Sequence, residues 1–270
     1  MFTSPPFTNA RTYANDRIYG IDAARDTEAW VRWMRPIVVE AARVSKGLAV
    51  FNVSDVVTDC VYGGGPEYLF ADVTRLDGLK GIRPYAWVKS GPGFDDRGNG
   101  LPGSGGTHFH RNDWEPILGF AEPGKLPPHW SNNIAFGDPP RRPRLTPIRI
   151  KHTKRGPNGV QQSQKFKNPT ISNPGNVIRV RVGGHRLGHT KTLDNEAPMP
   201  LGVAERFVCW FVPPGGRVCD PFVGMGTTAH AAVLHGREFI GCDLRQNQVE
   251  ATIRRLSCVM ADQSTTKPKK

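Results

Sequence analysis

The segment Gly216–Leu244 reads GRVCDPFVGMGTTAHAAVLHGREFIGCDL, and its parts decide the fold. Arg217–Asp220 is a short strand. Pro221–Gly226 is a turn built for close backbone approach. A helix opens at Thr227 and Thr228 and closes at Gly236, and Glu238–Asp243 is a second strand. This is a strand, glycine turn, helix, strand unit with a carboxylate at each strand tip, Asp220 and Asp243. Gly224 and Gly226 allow the backbone to come near a ligand. The helix N-terminus offers unpaired N–H groups. Asp243 lies where an acid accepts hydrogen bonds from ribose hydroxyls. A dinucleotide fingerprint prefers a third glycine at position 229, which is alanine. Asp220 would repel a pyrophosphate but suits an ammonium or sulfonium. Ribose, amine and positive sulfur together describe S-adenosylmethionine.

Upstream of this unit, Leu201–Val212 has helical periodicity, with Leu201, Ala204, Phe207, Val208 and Phe211 on one side. Pro213-Pro214-Gly215-Gly216 ends it. Nearer the N-terminus, apolar spacing over Asp26–Ala42 predicts a helix with Pro36 as a local defect. Leu48–Val53, Tyr85–Ser90 and Trp114–Ala121 read as strands. A Gly- and Pro-rich loop spans Ser90–His110, and no internal repeat is visible.

The chain of 270 residues carries a net charge of +12, and the charge is concentrated. Between Ala121 and Asn195 fourteen Lys and Arg stand against three acids, so this window holds nearly all of the excess. It is rich in Pro, Gly, Asn and Arg, and Val177–Val182 is its one clean alternating strand. A folded core carrying a basic insertion fits a polyanion partner, and nucleic acid is the commonest one. Arg141, Arg142, Arg144, Lys151, Lys154 and Arg155 are the candidate contacts to it. The expected divisions are 1–121, 122–194 and 195–270, the middle one being the basic region. Five scattered cysteines, none in a C-x-x-C pair, indicate buried thiols, with no disulfide framework and no metal site. No apolar run approaches the roughly 20 residues of a membrane span, and no signal peptide is visible. A soluble, cytoplasmic protein is expected.

At the other end the chain begins MFTSPPF. Ser4-Pro5-Pro6-Phe7 alone reads either as a stiff extended arm or as a functional motif. Gly137–Arg141 (GDPPR) repeats the paired prolines but puts arginine where an aromatic would stand, so it reads as a turn. His108–His110 (HFH) reads as a loop pair lacking further metal ligands. Trp114-Glu115 reads as core and network, and the terminal TTKPKK as a solvated basic tail.

CDPFVGMGTTAHAA resembles the cofactor motif of the amino-methylating DNA methyltransferases, which act on cytosine N4 or adenine N6, and TSPPF resembles their catalytic motif. RVSKGLAVFNVSD, YAWVKSG and RNDWEPILGF resemble the strands after the catalytic motif. EAPMPLGVAERFVCWFVPPGGRVCDPF resembles the helix leading into the cofactor motif. The likeness covers Thr3 to about Phe120 and Asn195 to about Leu256, in the family's beta order: catalytic motif first, cofactor motif last, basic region between. It implies an α/β, Rossmann-like S-adenosylmethionine-dependent methyltransferase, with a seven-stranded, mostly parallel sheet and a basic target-recognition insertion. It implies cofactor contacts at Asp220, Pro221, Phe222, Gly224, Gly226, Thr227, Thr228 and Asp243. It makes Ser4, Pro5, Pro6 and Phe7 the methyl-transfer site, with Phe7 as stacking platform for a flipped base. Serine in the first position favours cytosine N4; adenine N6 is the alternative within the class, and a truncated, inactive DNA-binding relic the alternative outside it. RNA is a less favoured substrate. A prokaryotic or phage origin, nucleoid association and a cognate restriction endonuclease go with the family. Three residues before Ser4 leave the strand that normally enters the catalytic motif nearly absent.

Overall fold

The computed structural model describes residues 1–7, 27–54, 57–58, 61–90, 114–126, 151–155, 161–165, 175–181 and 199–265. In chain order the elements are β1 Phe2–Thr3, α1 Thr27–Val44, β2 Ala49–Asn52, β3 Val57–Thr58 and β4 Val61–Tyr62. Then come α2 Gly65–Arg75, β5 Lys80–Gly81, β6 Tyr85–Ser90, β7 Trp114–Ala121, β8 Lys151–Arg155 and β9 Gln161–Lys165. The last are β10 Val177–Arg181, α3 Leu201–Phe211, β11 Arg217–Asp220, α4 Thr227–Leu234, β12 Glu238–Gly241 and α5 Gln246–Thr265.

The principal sheet has the order β1-β2-β7-β6-β10, with β5 also on β7. β1 pairs parallel with β2 and β10 parallel with β6, while β7 runs antiparallel to its three partners. β7 is thus the one reversed strand of that sheet, and the carboxyl ends of the others share one edge. β11 and β12 pair parallel with each other. The fold is the α/β, Rossmann-like one expected, but among the described residues the principal sheet has six strands, not seven, and β11–β12 pair separately from it. The strand entering Ser4 consists of two residues, Phe2 opposite Val50 and Thr3 opposite Phe51.

Strand alternation sorts the core into two layers. Phe2, Val50, Ile117 and Trp87 face α3, where Phe207 stacks on Phe2 with ring centroids 4.9 Å apart. Ala49, Phe51, Leu118 and Phe120 face α1 and α2. Helix α1 reaches this layer through Trp30, Met34, Val38 and Ala41, spaced at three and four residues, and it continues through Pro36. Within the basic window, β8 and β9 form an antiparallel pair in addition to the β10 strand read from the sequence. Among the described residues no helix is long and apolar enough to cross a membrane, and none of the four described cysteines is in a disulfide.

Candidate active site

The glycine turn forms because backbone groups at the tip of β12 reach back to it. Val223 N–H donates to Cys242 O at 3.0 Å, and Cys242 N–H to Asp220 O at 3.2 Å. Gly226 N–H donates to Val223 O at 2.8 Å and closes the turn. Gly226 has φ 72°, in the left-handed region. A Cβ there would lie 2.6 Å from Thr252 Oγ1 and 2.7 Å from Thr252 Cγ2. The bare Cα of Gly226 therefore serves the approach of α5, where the sequence suggests the approach of a ligand. Thr252 Oγ1 then donates to Gly224 O at 3.0 Å.

A second brace also comes from α5. Arg255 donates to Met225 O at 3.0 Å, to Thr227 Oγ1 at 3.2 Å and to His230 Nδ1 at 3.1 Å. Receiving that bond at Nδ1 leaves the neutral His230 ring with its proton on Nε2. Burial lowers the Arg255 guanidinium to about 10.

Asp220 ends β11 and is 2% exposed. Its Oδ1 accepts from Thr3 Oγ1 at 2.5 Å and from Phe222 N–H at 3.0 Å, and the Thr228 hydroxyl bonds the carboxylate as well. Burial pushes its pKa up, and these three donors oppose the shift. Among the described residues no Lys or Arg pairs with it. At the tip of β12, Asp243 Oδ2 accepts from Gly224 N–H at 2.9 Å and Oδ1 from Arg245 N–H at 3.0 Å. A carboxylate accepts up to about four hydrogen bonds, so both oxygens keep capacity. Pro221 and Phe222 follow Asp220 in the turn, and Phe222 meets Trp33 of α1 at 5.8 Å between ring centroids.

The Ser-Pro-Pro-Phe motif leaves β1 at the same sheet edge. The Thr3–Asp220 bond joins residues 217 positions apart and sets Ser4 beside the tip of β11. Trp30 Nε1 donates to Pro6 O at 3.0 Å, while Pro5 O has no partner among the described residues. Asn52 Nδ2 lies 3.4 Å from Ser4 Oγ and 3.2 Å from Glu115 Oε2, and Glu115 Oε1 is 3.0 Å from Lys89 Nζ. The structure thus gathers Ser4, Pro5, Pro6, Phe7, Asp220 and the glycine turn on two adjoining strand tips. It adds Asn52, Lys89, Thr3, Thr252 and Arg255, to which no role attached in the sequence, and it places Glu115 in a polar network, as its position suggested. A polar residue inside an apolar run, as in LAVFNV and WEPILGF, was the available signal for Asn52 and Glu115.

Lys151, Lys154 and Arg155 lie on β8. Arg141, Arg142 and Arg144, the GDPPR turn and the HFH pair lie outside the described residues. Among the described residues no cluster of metal-ligating side chains occurs. A cavity of about 820 Å³ opens at the opposite edge of the sheet, between Met1, Leu48, Phe207, Val212 and Ile240, and none of the candidate catalytic or cofactor-contact residues lines it.

Comparison with known proteins agrees with this geometry. A family model described as DNA methylase matches residues 1–254. Type II methyltransferase M.BglII of Bacillus subtilis is 28% identical over 260 residues, which cover 94% of this chain and 62% of that protein. Type II methyltransferase M1.MboII of Moraxella bovis is 34% identical over 125 residues, 44% of this chain and 47% of that protein. The chain therefore spans less than two thirds of the length of these relatives. Among solved structures, TTHA0409 of Thermus thermophilus, complexed with S-adenosyl-L-methionine, superposes with a TM-score of 0.56 at 21% identity, covering 96% of this chain and 84% of that one. PvuII DNA methyltransferase (cytosine-N4-specific) gives 0.60 at 15% identity, covering 96% and 82%. At these identities the likeness is one of fold.

Proposed function

The chain belongs to the DNA methylase family whose model spans residues 1–254, and from that premise we propose that it methylates an exocyclic amino group in double-stranded DNA, cytosine N4 by preference. The carrying observation is the Thr3–Asp220 hydrogen bond, which joins the motif at one end of the chain to the motif at the other.

S-adenosylmethionine supplies a methyl group on a sulfonium, whose C–S bond breaks with both electrons going to sulfur. The residues present fit it. Asp220 is a buried carboxylate with neutral donors only, and a buried charge in that state favours a cationic ligand group. Asp243 retains acceptor capacity for ribose hydroxyls. Pro221, Phe222, Gly224, Thr227 and Thr228 would form the wall between them, while Gly226 packs against Thr252 of α5.

A base amine is a poor nucleophile because its lone pair is delocalised into the ring. Ser4 Oγ and Pro5 O are placed to accept its two N–H bonds and bring the nitrogen toward tetrahedral geometry. Pro6 O is engaged by Trp30, which leaves the Pro5 carbonyl for this task. The prolines fix φ and hold the carbonyls still. Phe7 offers a ring face for a base taken out of the stack. The nitrogen lone pair forms the new N–C bond, and the nitrogen gives one proton to solvent. The work is positioning, and no strong base is required. Serine at position 4 is the ground for preferring cytosine N4.

The test is incorporation of tritiated methyl groups from S-adenosylmethionine into DNA. Label in DNA that disappears in Ser4→Ala and is reduced in Pro5→Ala, which keeps the carbonyl but frees φ, supports the reading; a folded, cofactor-bound chain that labels no DNA rejects it. The names of the relatives support a Type II setting in a bacterial cell, with a cognate endonuclease as partner.

The basic window is assigned to the DNA backbone. Replacing Arg141, Arg142 and Arg144 together with alanine weakens DNA binding and flattens its dependence on salt. The slope of log K against log salt drops by roughly 0.9 for each phosphate no longer neutralised. Fluorescence anisotropy across a salt series reads this, and an unchanged slope places the DNA on another surface.

A further inference from the structure

At one edge of the principal sheet four strands each carry a polar residue on one face, at or next to the strand end. Phe2, Val50, Trp87 and Ile117 share the apolar layer against α3. Ser4, Asn52 and Lys89 each stand two residues beyond one of these, and Glu115 two residues before Ile117 on the reversed strand β7. Alternation puts all four side chains on that face, at the edge that carries the methyl-transfer motif. Side chains on neighbouring strands that are diagonal in register are within reach of one another. Two contacts follow that diagonal, Lys89 Nζ to Glu115 Oε1 at 3.0 Å and Asn52 Nδ2 to Glu115 Oε2 at 3.2 Å, and Asn52 Nδ2 meets Ser4 Oγ at 3.4 Å directly across the continued β1–β2 register.

We propose that Lys89, Glu115 and Asn52 form a positioning ladder that fixes the Ser4 hydroxyl for the methyl-transfer step; this rests on the functional reading above. The lysine holds one oxygen of Glu115 and leaves the other to Asn52. A carboxylate accepts and cannot donate, so it decides which way the Asn52 amide faces: NH₂ toward Glu115 and Ser4. The flipped amide would set Oδ1 against the carboxylate. The orientation is kept although Asn52 Oδ1 is buried without a partner among the described residues. An unsatisfied buried acceptor is uncommon and marks a place where another requirement prevails. Here the requirement is a donor directed at Ser4. That N–H occupies one lone pair of Ser4 Oγ and leaves the other for the base amine. The 3.4 Å spacing is long for a hydrogen bond, as positioning contacts often are before substrate binds.

Two measurements on the full chain test the ladder. In the first, methylation kinetics are run at saturating S-adenosylmethionine, with cofactor affinity followed by calorimetry and folding by thermal melting. Asn52→Leu and Lys89→Met each lower kcat by about 10- to 100-fold, as misplacement of a reacting group does. Cofactor Kd stays within about twofold, because the cofactor cleft is built from other residues. Lys89→Arg, which keeps the cation on Glu115, recovers most of the activity missing in Lys89→Met. An unchanged kcat in Asn52→Leu overturns the ladder. So does a fall in rate matched by equal losses of cofactor affinity and melting temperature, or an arginine variant no better than the methionine one. The second measurement needs no turnover. In nitrogen-15 NMR, the Asn52 side-chain NH₂ signals shift in both Ser4→Ala and Glu115→Gln. Signals indifferent to both changes reject the ladder even in an active enzyme. Signals that shift in a chain that methylates nothing uphold the ladder and reject the functional reading instead.

Discussion

In an Asp220→Asn variant, affinity for S-adenosylmethionine falls by about 10- to 100-fold while the protein stays folded. The amide is the same size and still accepts from the Thr3 hydroxyl and the Phe222 N–H through its oxygen. It loses the charge that a cationic ligand group would meet. A hydrogen bond to a charged group is worth about 1.5–3 kcal/mol, and each 1.4 kcal/mol is about tenfold in Kd. Stability moves the other way. Burial raises the Asp220 pKa above its ordinary value of 3.8. A carboxyl raised in the folded state stabilises below its unfolded pKa, and that contribution is lost as pH rises through the folded value. Above the raised folded value Asp220 is therefore a net cost, and at neutral pH Asp220→Asn melts at or above the wild-type temperature. The gap narrows as pH falls through that raised value and closes below the ordinary carboxyl value of 3.8. Calorimetric titration and melting curves across pH read both effects. Unchanged affinity sinks the assignment of Asp220 to the cofactor. A melting temperature that drops sharply at neutral pH sinks the account of its burial.

Gly226→Ala produces the largest loss of stability. The position has φ 72°, and a left-handed conformation costs a residue with a Cβ roughly 1–2 kcal/mol. The new Cβ also meets Thr252 Oγ1 at 2.6 Å, and overpacking of this kind costs about 1–3 kcal/mol. A combined loss of about 3 kcal/mol lowers the melting temperature by roughly 10 °C in a chain of this size. In a Thr252→Ala background the steric part is relieved and the backbone part remains. The cost of Gly226→Ala is then smaller by about 1 kcal/mol or more, a coupling of the size found between touching residues. A cost that is the same in both backgrounds means the two residues are not in contact.

The glycine turn was legible in the sequence because its geometry is local: the strand, the tight turn and the helix start lie within a dozen residues. The strands Ala49–Asn52 and Trp114–Ala121 were legible because they are largely buried and read as apolar runs, and Tyr85–Ser90 because Tyr85, Trp87 and Val88 favour a strand. Helix α5 was not. Its buried face includes Gln248 and Thr252 beside Ala251 and Val259, so apolar periodicity is weak although the helix braces the glycine turn. The β8–β9 pair was missed for the same reason, since KHTKR and QQSQK show no apolar alternation. The role of Gly226 was legible only in part. Its freedom of backbone could be read, but the residue facing it, Thr252, belongs to a helix the pattern did not announce. The chain could also not declare that Thr3 meets Asp220, because such a contact depends on which strand tips become neighbours. The polar ladder stands between these cases. Glu115 read as part of a core network, Asn52 was a polar letter in an apolar run with no role attached, and only strand register showed that they lead to Ser4.

The most direct test of the account is the identity of the modified nucleoside. Duplex DNA methylated by the chain is digested to nucleosides and analysed by mass spectrometry. The account predicts N4-methyldeoxycytidine; N6-methyldeoxyadenosine would move the base assignment and keep amino methylation. A methyl group found only on a ring carbon, as 5-methyldeoxycytidine, or no methylated nucleoside from a folded chain that binds S-adenosylmethionine, would contradict it.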